Sequence, residues 1–311
     1  MSETQRRVLG VIVTYHPDRD ALLALVDALA PQVDELLLID NTPEGEGGAE
    51  SIFHPHPPPP NMQIECLRRN IGIAAAQNIG IRAALESEYD YILLSDQDSI
   101  PARDMVANLA TCAEKLRKQG IEIGCICPAY FDKVTGQVFS FQVQKPTHLF
   151  YSTIPATQAD PWTEVVVTIS SGSLIPTTAL RRIGGMREDF FIDHVDTEWC
   201  HRARAAGLHN FGTVCAHLNH RLGDAPFPVW YFGWREHSEY SPLRLYYRFR
   251  NFILLCKLPH VPLRWSIRAS WYWLGNIYAH VLFAGEPVKN LRAIAKGLWD
   301  GIKGKHGPAR M

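Results

Sequence analysis

The chain has 311 residues and a mass of 35.1 kDa, with 20% charged and 46% hydrophobic residues. This composition excludes a disordered tail protein and a fibrous repeat, and the length allows a sizeable core in one large or two medium domains. Lysine and arginine number 31 against 32 aspartate and glutamate residues. The chain has no overall positive charge, so we do not expect it to bind nucleic acid.

The cysteines and the N-terminus indicate the compartment. None of the seven cysteines forms a CxxC pair, which favours buried thiols in a reducing environment. The N-terminal MSETQRR lacks the apolar core of a signal peptide, and no apolar run reaches the roughly 18 residues of a membrane span. We expect a cytoplasmic protein, with peripheral contact at the inner face of the cell membrane left open.

Strand and helix patterns alternate through the first part of the chain. Apolar, β-branched runs predict strands at 8–14, 35–39, 63–67, 89–95 and 121–127, and helical spacing predicts helices at 20–30, 73–85 and 101–119. This order predicts an open, mostly parallel α/β sheet with helices on both faces. Residues 42–61, rich in glycine and proline, are predicted to form a mobile surface loop.

The second part of the chain is less regular. It carries strand patterns at 165–169 and 210–215 and helical patterns at 178–183, 193–206, 241–258 and 263–282. Beyond residue 222 the composition shifts towards Trp, Tyr, Arg and Pro. We therefore predict a division into residues 1–222 and a helical C-terminal region over residues 223–311.

Asp96, Gln97 and Asp98 follow the fourth predicted strand, and ligands of open α/β sheets bind beyond the carboxyl ends of the strands. Two carboxylates at i and i+2 of an extended stretch point the same way. One can bind a divalent metal, which a diphosphate leaving group needs, while the other binds a sugar hydroxyl. The alternative is an Asx-type cap on the following helix.

Two further polar segments lie at strand ends. Asp40 and Asn41 offer acceptors for a base N–H or a ribose hydroxyl, although both are ordinary turn residues. In RNIGIAAAQNIG, which begins at Arg69, Gly72 permits a sharp turn and the following helix N-terminus can face an anionic ligand. The pattern is not GxGxxG, and a well-packed helix start is the alternative.

The segment FFIDHVDTEW, from Phe190 to Trp199, concentrates three acids and a histidine at a predicted helix start. A carboxylate here can act as a general base towards a hydroxyl nucleophile. The alternative is helix capping, with Asp193 as N-cap and Asp196 completing a capping box, which leaves Glu198 unexplained.

Histidine supplies further candidate metal ligands. His217 and His220 follow the predicted strand at 210–215, and either can complete an aspartate-based site. Oxygen donors with one imidazole suit Mn²⁺ or Mg²⁺. A structural role is the more common one for a single histidine.

Six segments in order resemble family 2 glycosyltransferases: VIVTYHP, IDN, RNIGIAAAQNIGI, LLSDQDS, SSGSLI and FFIDHVDTEWCHR. The resemblance covers about residues 8–222, and FIDHVDTEW, NHRLG and SPLRLYYRFRN are similar to the bacterial rhamnosyltransferase branch. It implies a GT-A fold for the catalytic domain, a nucleoside-diphosphate sugar donor, a divalent cation (Mg²⁺ or Mn²⁺) and an inverting displacement. The branch further implies dTDP-L-rhamnose as donor and a bacterial glycan or glycolipid hydroxyl as acceptor, in cell-envelope polysaccharide biosynthesis.

The resemblance also implies roles for individual residues. Thr14, Asp40 and Asn70 would contact the nucleotide, Asp96 the ribose or sugar, and Asp98 and His220 the metal, with the adjoining Tyr15, Asn41, Gly72 and Gln97 assigned to the same nucleotide-sugar site. His220, in NHRLG, matches the family's second metal ligand better than His217 does. Asp196 falls on the first Asp of the family's ED-x-D segment, where the catalytic base lies.

The chain departs from the family pattern at that segment. Val195 occupies the usual Glu position, and Glu198 occupies the position of the second Asp. The assignment of the base therefore depends on Asp196, with Asp193 as its rival.

Three arginines recur in the helical segment LRLYYRFRN: Arg244, Arg248 and Arg250. A guanidinium fork suits a diphosphate, and Arg244 and Arg248 share one helix face. We predict that Arg244 and Arg250 bind the nucleotide sugar. A solvated basic face is the alternative.

An aromatic-rich segment follows. It contains Trp265, Trp271, Tyr272, Trp273 and Tyr278 near Arg264 and Arg268, with further lysine and arginine residues beyond. Such a segment can rest on an anionic membrane surface, which suits a lipid-linked acceptor. The alternative is that the aromatic side chains pack on the catalytic domain or on a second copy in a homodimer.

Other functions compete with rhamnosyl transfer. The donor can instead be a UDP- or GDP-linked sugar, or the chain can be a module that binds a sugar nucleotide without turnover. A sugar nucleotidyltransferase would need a glycine-rich, basic loop after the first strand, and the segment TYHP from Thr14 to Pro17 does not provide one.

Overall fold

The computed structural model describes residues 6–54, 57–131, 138–145, 147–155, 160–219 and 226–309. The strands are β1 Val8–Thr14, β2 Glu35–Asp40, β3 Met62–Cys66, β4 Tyr91–Asp96, β5 Ile100–Pro101, β6 Ile123–Phe131, β7 Ser140–Val143, β8 Ser152–Pro155, β9 Trp162–Val165, β10 Ser173–Pro176, β11 His209–Asn219, β12 Pro226–Trp230 and β13 Trp234–Ser238. The helices are α1 Arg19–Leu29, α2 Ala49–Phe53, α3 Ile73–Glu86, α4 Met105–Lys118, α5 Thr177–Ile183, α6 Val195–Ala205, α7 Pro242–Cys256, α8 Leu263–Leu282 and α9 Pro287–Ile302.

The central sheet has the order β3-β2-β1-β4-β10-β6-β11-β5, with β9 also paired to β11. Strands β1 to β4 are parallel, and so are β6 and β11. Strand β10 runs antiparallel to both β4 and β6 and so joins the two parallel parts. Thr14 is opposite Asp40, and Val13 is opposite Asp96, so these strands end at one edge.

Helices cover both faces of the sheet, as predicted. Alternate residues of β1 belong to different core layers, because successive side chains of a strand point to opposite faces. Ile12 packs in the layer that contains α1 and α4, whereas Val11 packs in the layer that contains α3, α6, α7 and α8. Trp265 and Trp273 of α8 are buried in this second layer, so part of the aromatic segment packs on the α/β sheet region.

Helix α9 packs closely along α7. A Cβ at Gly297 would lie 2.5 Å from the Tyr246 carbonyl oxygen, and one at Gly301 would lie 2.7 Å from the Arg250 carbonyl oxygen. Glycine at these positions lets the two backbones approach one another.

The structure corrects several predicted elements. Within residues 42–61, predicted to be a mobile loop, α2 forms and buries Ile52 and Phe53. The helix predicted from 101 begins at Met105, because Ile100 and Pro101 pair with β11. The strand predicted at 165–169 is β9, which ends at Val165.

Other elements were missed or differ at their ends. Strand β10, helix α9 and the β12–β13 hairpin were not predicted, and the hairpin shows that the region beyond 222 is not wholly helical.

Four cysteines are buried and all seven are free, in agreement with the thiol prediction. Among the described residues, every helix is too short or too polar to cross a bilayer.

Candidate functional site

Asp40 holds the segment after β2 in place. Its Oδ1 accepts hydrogen bonds from the Thr14 hydroxyl at 3.0 Å and the Thr42 N–H at 3.1 Å, and its Oδ2 accepts from the Ala49 N–H at 2.7 Å. The side chain is buried, and a Cβ at Gly48 would collide with it. Its predicted contact with the base stays a prediction.

Asn41 and Asn70 shape the turn that precedes α3. Asn41 Nδ2 donates to Asn70 Oδ1 at 3.0 Å, and Asn41 Oδ1 accepts from the Ile71 N–H at 2.8 Å. Asn70 Oδ1 also accepts from the Gly72 N–H at 2.9 Å. Gly72 has a φ of 86°, and a Cβ there would lie 2.7 Å from the Phe191 carbonyl oxygen, so glycine is required on both counts.

Gln97 fixes the backbone beyond β1. Its Oε1 accepts from the Tyr15 N–H at 2.8 Å, and its Nε2 donates to the Tyr15 carbonyl oxygen at 3.2 Å. Tyr15 itself exposes 45% of its surface. Tyr15 and Gln97, both predicted to contact the nucleotide sugar, are therefore held together by two hydrogen bonds.

The predicted geometry of Asp96 and Asp98 is wrong. Strand β4 ends at Asp96, and Gln97 and Asp98 form a turn, so the alternation of an extended strand does not relate the two carboxylates. The Asp96 N–H donates to Ser171 Oγ at 3.1 Å, and Ser171 Oγ lies 2.8 Å from Ser99 Oγ. Asp98, within this turn, is exposed.

The loop from Phe190 to His194 is strained. Phe191, Asp193 and His194 have φ values of 67°, 62° and 65°, a region that non-glycine residues rarely adopt. The Phe191 ring stacks on Tyr247 with centroids 5.2 Å apart, and its carbonyl accepts from the Ile73 N–H at 2.8 Å.

Asn251 of α7 holds this loop by one amide group. Its Nδ2 donates to the carbonyl oxygens of Phe190 at 2.8 Å, Ile192 at 2.7 Å and Asp193 at 3.2 Å. The side chain is fully buried. We therefore identify Asn251, which the sequence patterns did not single out, as a positioning residue of the site.

The prediction that Arg250 binds the nucleotide sugar is wrong. Arg250 is 1% exposed, and its guanidinium donates to Asn251 Oδ1 at 2.9 Å and to the carbonyl oxygens of Phe190 at 3.1 Å and Gly307 at 2.5 Å. It supports the loop from within the core.

Asp193 pairs with the other two arginines. Arg244 Nε and Arg248 Nη1 lie 3.4 Å and 3.5 Å from its two carboxylate oxygens. The capping interpretation of Asp193 is wrong, because α6 starts at Val195 and its N-cap is His194, which makes no side-chain capping bond. Arg248 also stacks on Tyr240, 3.9 Å from the ring centroid.

Asp196 lies in the first turn of α6 and is partly buried. Burial raises the pKa of its carboxyl to about 6, against the hydrogen bond from the Thr197 N–H, and the charges of Asp96 and Asp193 raise it further. A carboxylate with this pKa can accept a proton near neutral pH.

Glu198 and His194 both interact with neighbouring side chains of the protein. Glu198 is buried and accepts from Arg202 through both oxygens, at 3.1 Å and 2.9 Å. Burial, with Arg248 nearby, lowers the pKa of His194 to about 4, so its ring is neutral beside Trp273.

Of the two predicted metal ligands, Asp98 lies within the described residues. His220 lies outside the described residues, and among those described no group of three or more His, Cys, Asp or Glu side chains could hold a metal ion. His217 belongs to β11, and its ring packs against Phe131 at 5.0 Å.

Comparison with known proteins identifies the family. The glycosyl transferase family 2 model matches residues 10–171. The dTDP-rhamnosyl transferase RfbF of Shigella flexneri is 30% identical over 97% of this chain and 98% of its own length. The chain belongs to glycosyl transferase family 2. It is therefore an enzyme, a glycosyltransferase, as the order of its motifs predicted.

Other relatives are more distant. The galactofuranosyltransferase GlfT1 of Mycobacterium tuberculosis is 26% identical over 95% of this chain and 93% of its own length. The structure of GalNAc-T7 with UDP, GalNAc and Mn²⁺ has a TM-score of 0.58 at 12% identity, over 97% of this chain and 57% of that chain. S. aureus TarS 1-349 in complex with UDP-GlcNAc gives 0.52 at 14% identity, over 95% and 81%. These similarities confirm the GT-A fold.

We expect Asn251→Ala to impair the transferase through its loop. Three carbonyl groups lose their shared donor, so the free energy of unfolding should fall by about 2–3 kcal/mol and kcat by about tenfold or more. Denaturant unfolding and steady-state kinetics measure the two effects. Asn108→Ala is the matched control, because Asn108 Nδ2 makes one exposed bond, to the Cys215 carbonyl at 2.7 Å. Equal effects of the two variants would contradict the role of Asn251.

We expect kcat/KM to fall on the acid side of about pH 6. A base must be deprotonated, and the Asp196 carboxyl with its pKa raised to about 6 loses its proton only above that pH. Activity should therefore drop about tenfold per pH unit below it. His194 stays neutral over this range and should not contribute. Rates measured from about pH 5 to 8 that stay constant would exclude Asp196 as the base.

Proposed function

We propose that this transferase moves L-rhamnose from dTDP-L-rhamnose to a hydroxyl of a bacterial glycan or glycolipid acceptor by a single displacement. The observation that carries the chemistry is Asp196, a partly buried carboxyl with a pKa raised to about 6, in the electrostatic field of Asp96 at the carboxyl edge of the sheet. The donor is supported by the 30% identity to a dTDP-rhamnosyl transferase over nearly the whole chain.

The reaction needs one base. The Asp196 carboxylate takes the proton of the acceptor hydroxyl as that oxygen attacks the anomeric carbon, and the bond to the diphosphate breaks. Asp193 is less suited to this role, because its two oxygens face Arg244 and Arg248. Inversion at the anomeric carbon follows from the single displacement.

We assign the nucleotide sugar to the carboxyl ends of β1, β2 and β4. Thr14, Tyr15, Asp40 and Asn41 lie at the first two strand ends, and Asn70, Gly72, Asp96 and Gln97 complete the proposed set. Arg244 is the arginine proposed to contact the diphosphate. Its side chain is 41% exposed at the edge of the loop that carries Asp193.

Asp98, exposed in the turn after β4, offers a carboxylate to a divalent cation. Mg²⁺ in nucleotide enzymes is held by one or two carboxylates together with substrate phosphates, and Mn²⁺ accepts similar oxygen donors. Asp98 would hold the ion, and His220 is the further proposed ligand. When bound, the ion supplies neutralisation of the diphosphate charge.

Asp196→Asn should abolish transfer and spare donor binding. Loss of a general base lowers kcat by roughly a hundredfold to ten-thousandfold, whereas the amide keeps the shape of the side chain. Sugar transfer and calorimetric binding of dTDP should be measured on the same preparation. Asp193→Asn is the comparison variant. Transfer that persists in Asp196→Asn but disappears in Asp193→Asn would assign the base to Asp193.

The nucleotide itself is tested by thermal stabilisation. A ligand that binds the folded state at about a hundred times its Kd adds roughly 2.7 kcal/mol of stability. We expect dTDP with Mg²⁺ or Mn²⁺ to raise the Tm, with smaller shifts for UDP, for GDP and for dTDP without metal. A preferential shift with UDP or GDP would retain the transferase and reject rhamnose. If no nucleotide shifts the Tm, the proposed nucleotide-sugar site is wrong.

A further inference from the structure

The outer side of α8 is apolar along its length. Leu263, Ile267, Trp271, Leu274 and Leu282 recur on one side of the helix, and each exposes 45% or more of its surface. The opposite side is already buried in the core through residues such as Trp265 and Trp273. The exposed residues are therefore a second apolar surface, beyond what folding of the described chain requires.

The β12–β13 hairpin extends this surface. Its end carries Trp230, Phe232 and Trp234, and Phe232 is 98% exposed. Tyr231 Oη donates to the Gly275 carbonyl of α8 at 2.8 Å, which fixes the hairpin against the helix. We call these three hairpin residues and the five exposed α8 residues the aromatic face.

The charged residues along the α8 part of the aromatic face are basic, and the hairpin part carries one exposed cation and one exposed anion, Arg235 and Glu236. Residues 263–285 contain two arginines, Arg264 and Arg268, and no Asp or Glu. Exposed Trp and Leu beside cations are typical of a helix that lies in the interface of an anionic bilayer. A second copy that used the same surface would offer no Asp or Glu from residues 263–285 to pair with these arginines.

We propose that the aromatic face docks on an anionic phospholipid bilayer. Its rings lie at headgroup depth, where tryptophan is favoured, and Arg264 and Arg268 face the lipid phosphates. The hairpin leads to Tyr240, which stacks on Arg248, and Arg248 contacts Asp193 in the catalytic loop. Docking therefore brings the site to the bilayer surface. That this serves a lipid-linked acceptor rests on the proposed function, whereas docking itself does not.

Vesicle flotation of the full chain tests the proposal without donor or acceptor, so its outcome is separate from that of the transfer assays. We expect binding to vesicles of phosphatidylcholine with phosphatidylglycerol, weaker binding to phosphatidylcholine alone, and weakening by salt. Phe232→Ser with Trp271→Ser should lower the partition coefficient at least about tenfold. Arg264→Gln should lower it roughly fivefold.

Trp299→Ser is the matched control. Trp299 is 58% exposed on α9, outside the aromatic face, and should leave partitioning unchanged. Absence of binding to the anionic vesicles would overturn the proposal, and so would an equal loss in the Trp299 variant. Sedimentation of the protein alone provides another decisive result. A dimer that the Phe232 and Trp271 substitutions dissociate would show that a second copy covers this face.

Discussion

The site depends on a strained loop whose backbone conformation is stabilised by hydrogen bonds from another helix. Phe191, Asp193 and His194 all occupy positive φ, at a cost of roughly 1–3 kcal/mol each, so bonds from outside the loop must stabilise it. Asn251 and Arg250 of α7 provide them through the loop carbonyl groups. Helix α7 thus stabilises the loop that leads into α6, the helix on which the proposed base Asp196 lies.

The polar residues at the sheet edge bind one another before any ligand arrives. Asp40 accepts three hydrogen bonds, and the Asn41 amide is paired with the turn before α3. Gln97 ties the end of β4 to Tyr15. This arrangement is preorganised, since side chains fixed by their neighbours keep a binding surface in shape. It also separates residues that build the site from those left to contact substrate, a distinction that motif position does not provide.

Local patterns predicted the elements whose signal is local. The β1 strand and the α8 helix have the predicted bounds, because a continuous apolar run and a long helical repeat determine them. Strand β10 has four residues and is defined by antiparallel partners far along the chain, which no short pattern encodes. The hairpin was missed because its prolines and glycine resemble a loop. Long-range contacts also decide the role of Asp193. Its local sequence resembles a helix cap, whereas in the structure it pairs with two arginines of α7.

Glu198 forms a buried ion pair, although it lies in the segment that we propose to hold the base. It occupies the position of the second acid of ED-x-D, yet it is 1% exposed and bonded to Arg202, whose guanidinium also donates to the carbonyl oxygens of Ile183 and Gly185. A buried carboxylate must be paired, and this pair connects α6 to the end of α5. With Val195 in place of the first acid, Asp196 is the one acid of the segment that keeps its family position, and for this reason it is the base that we propose.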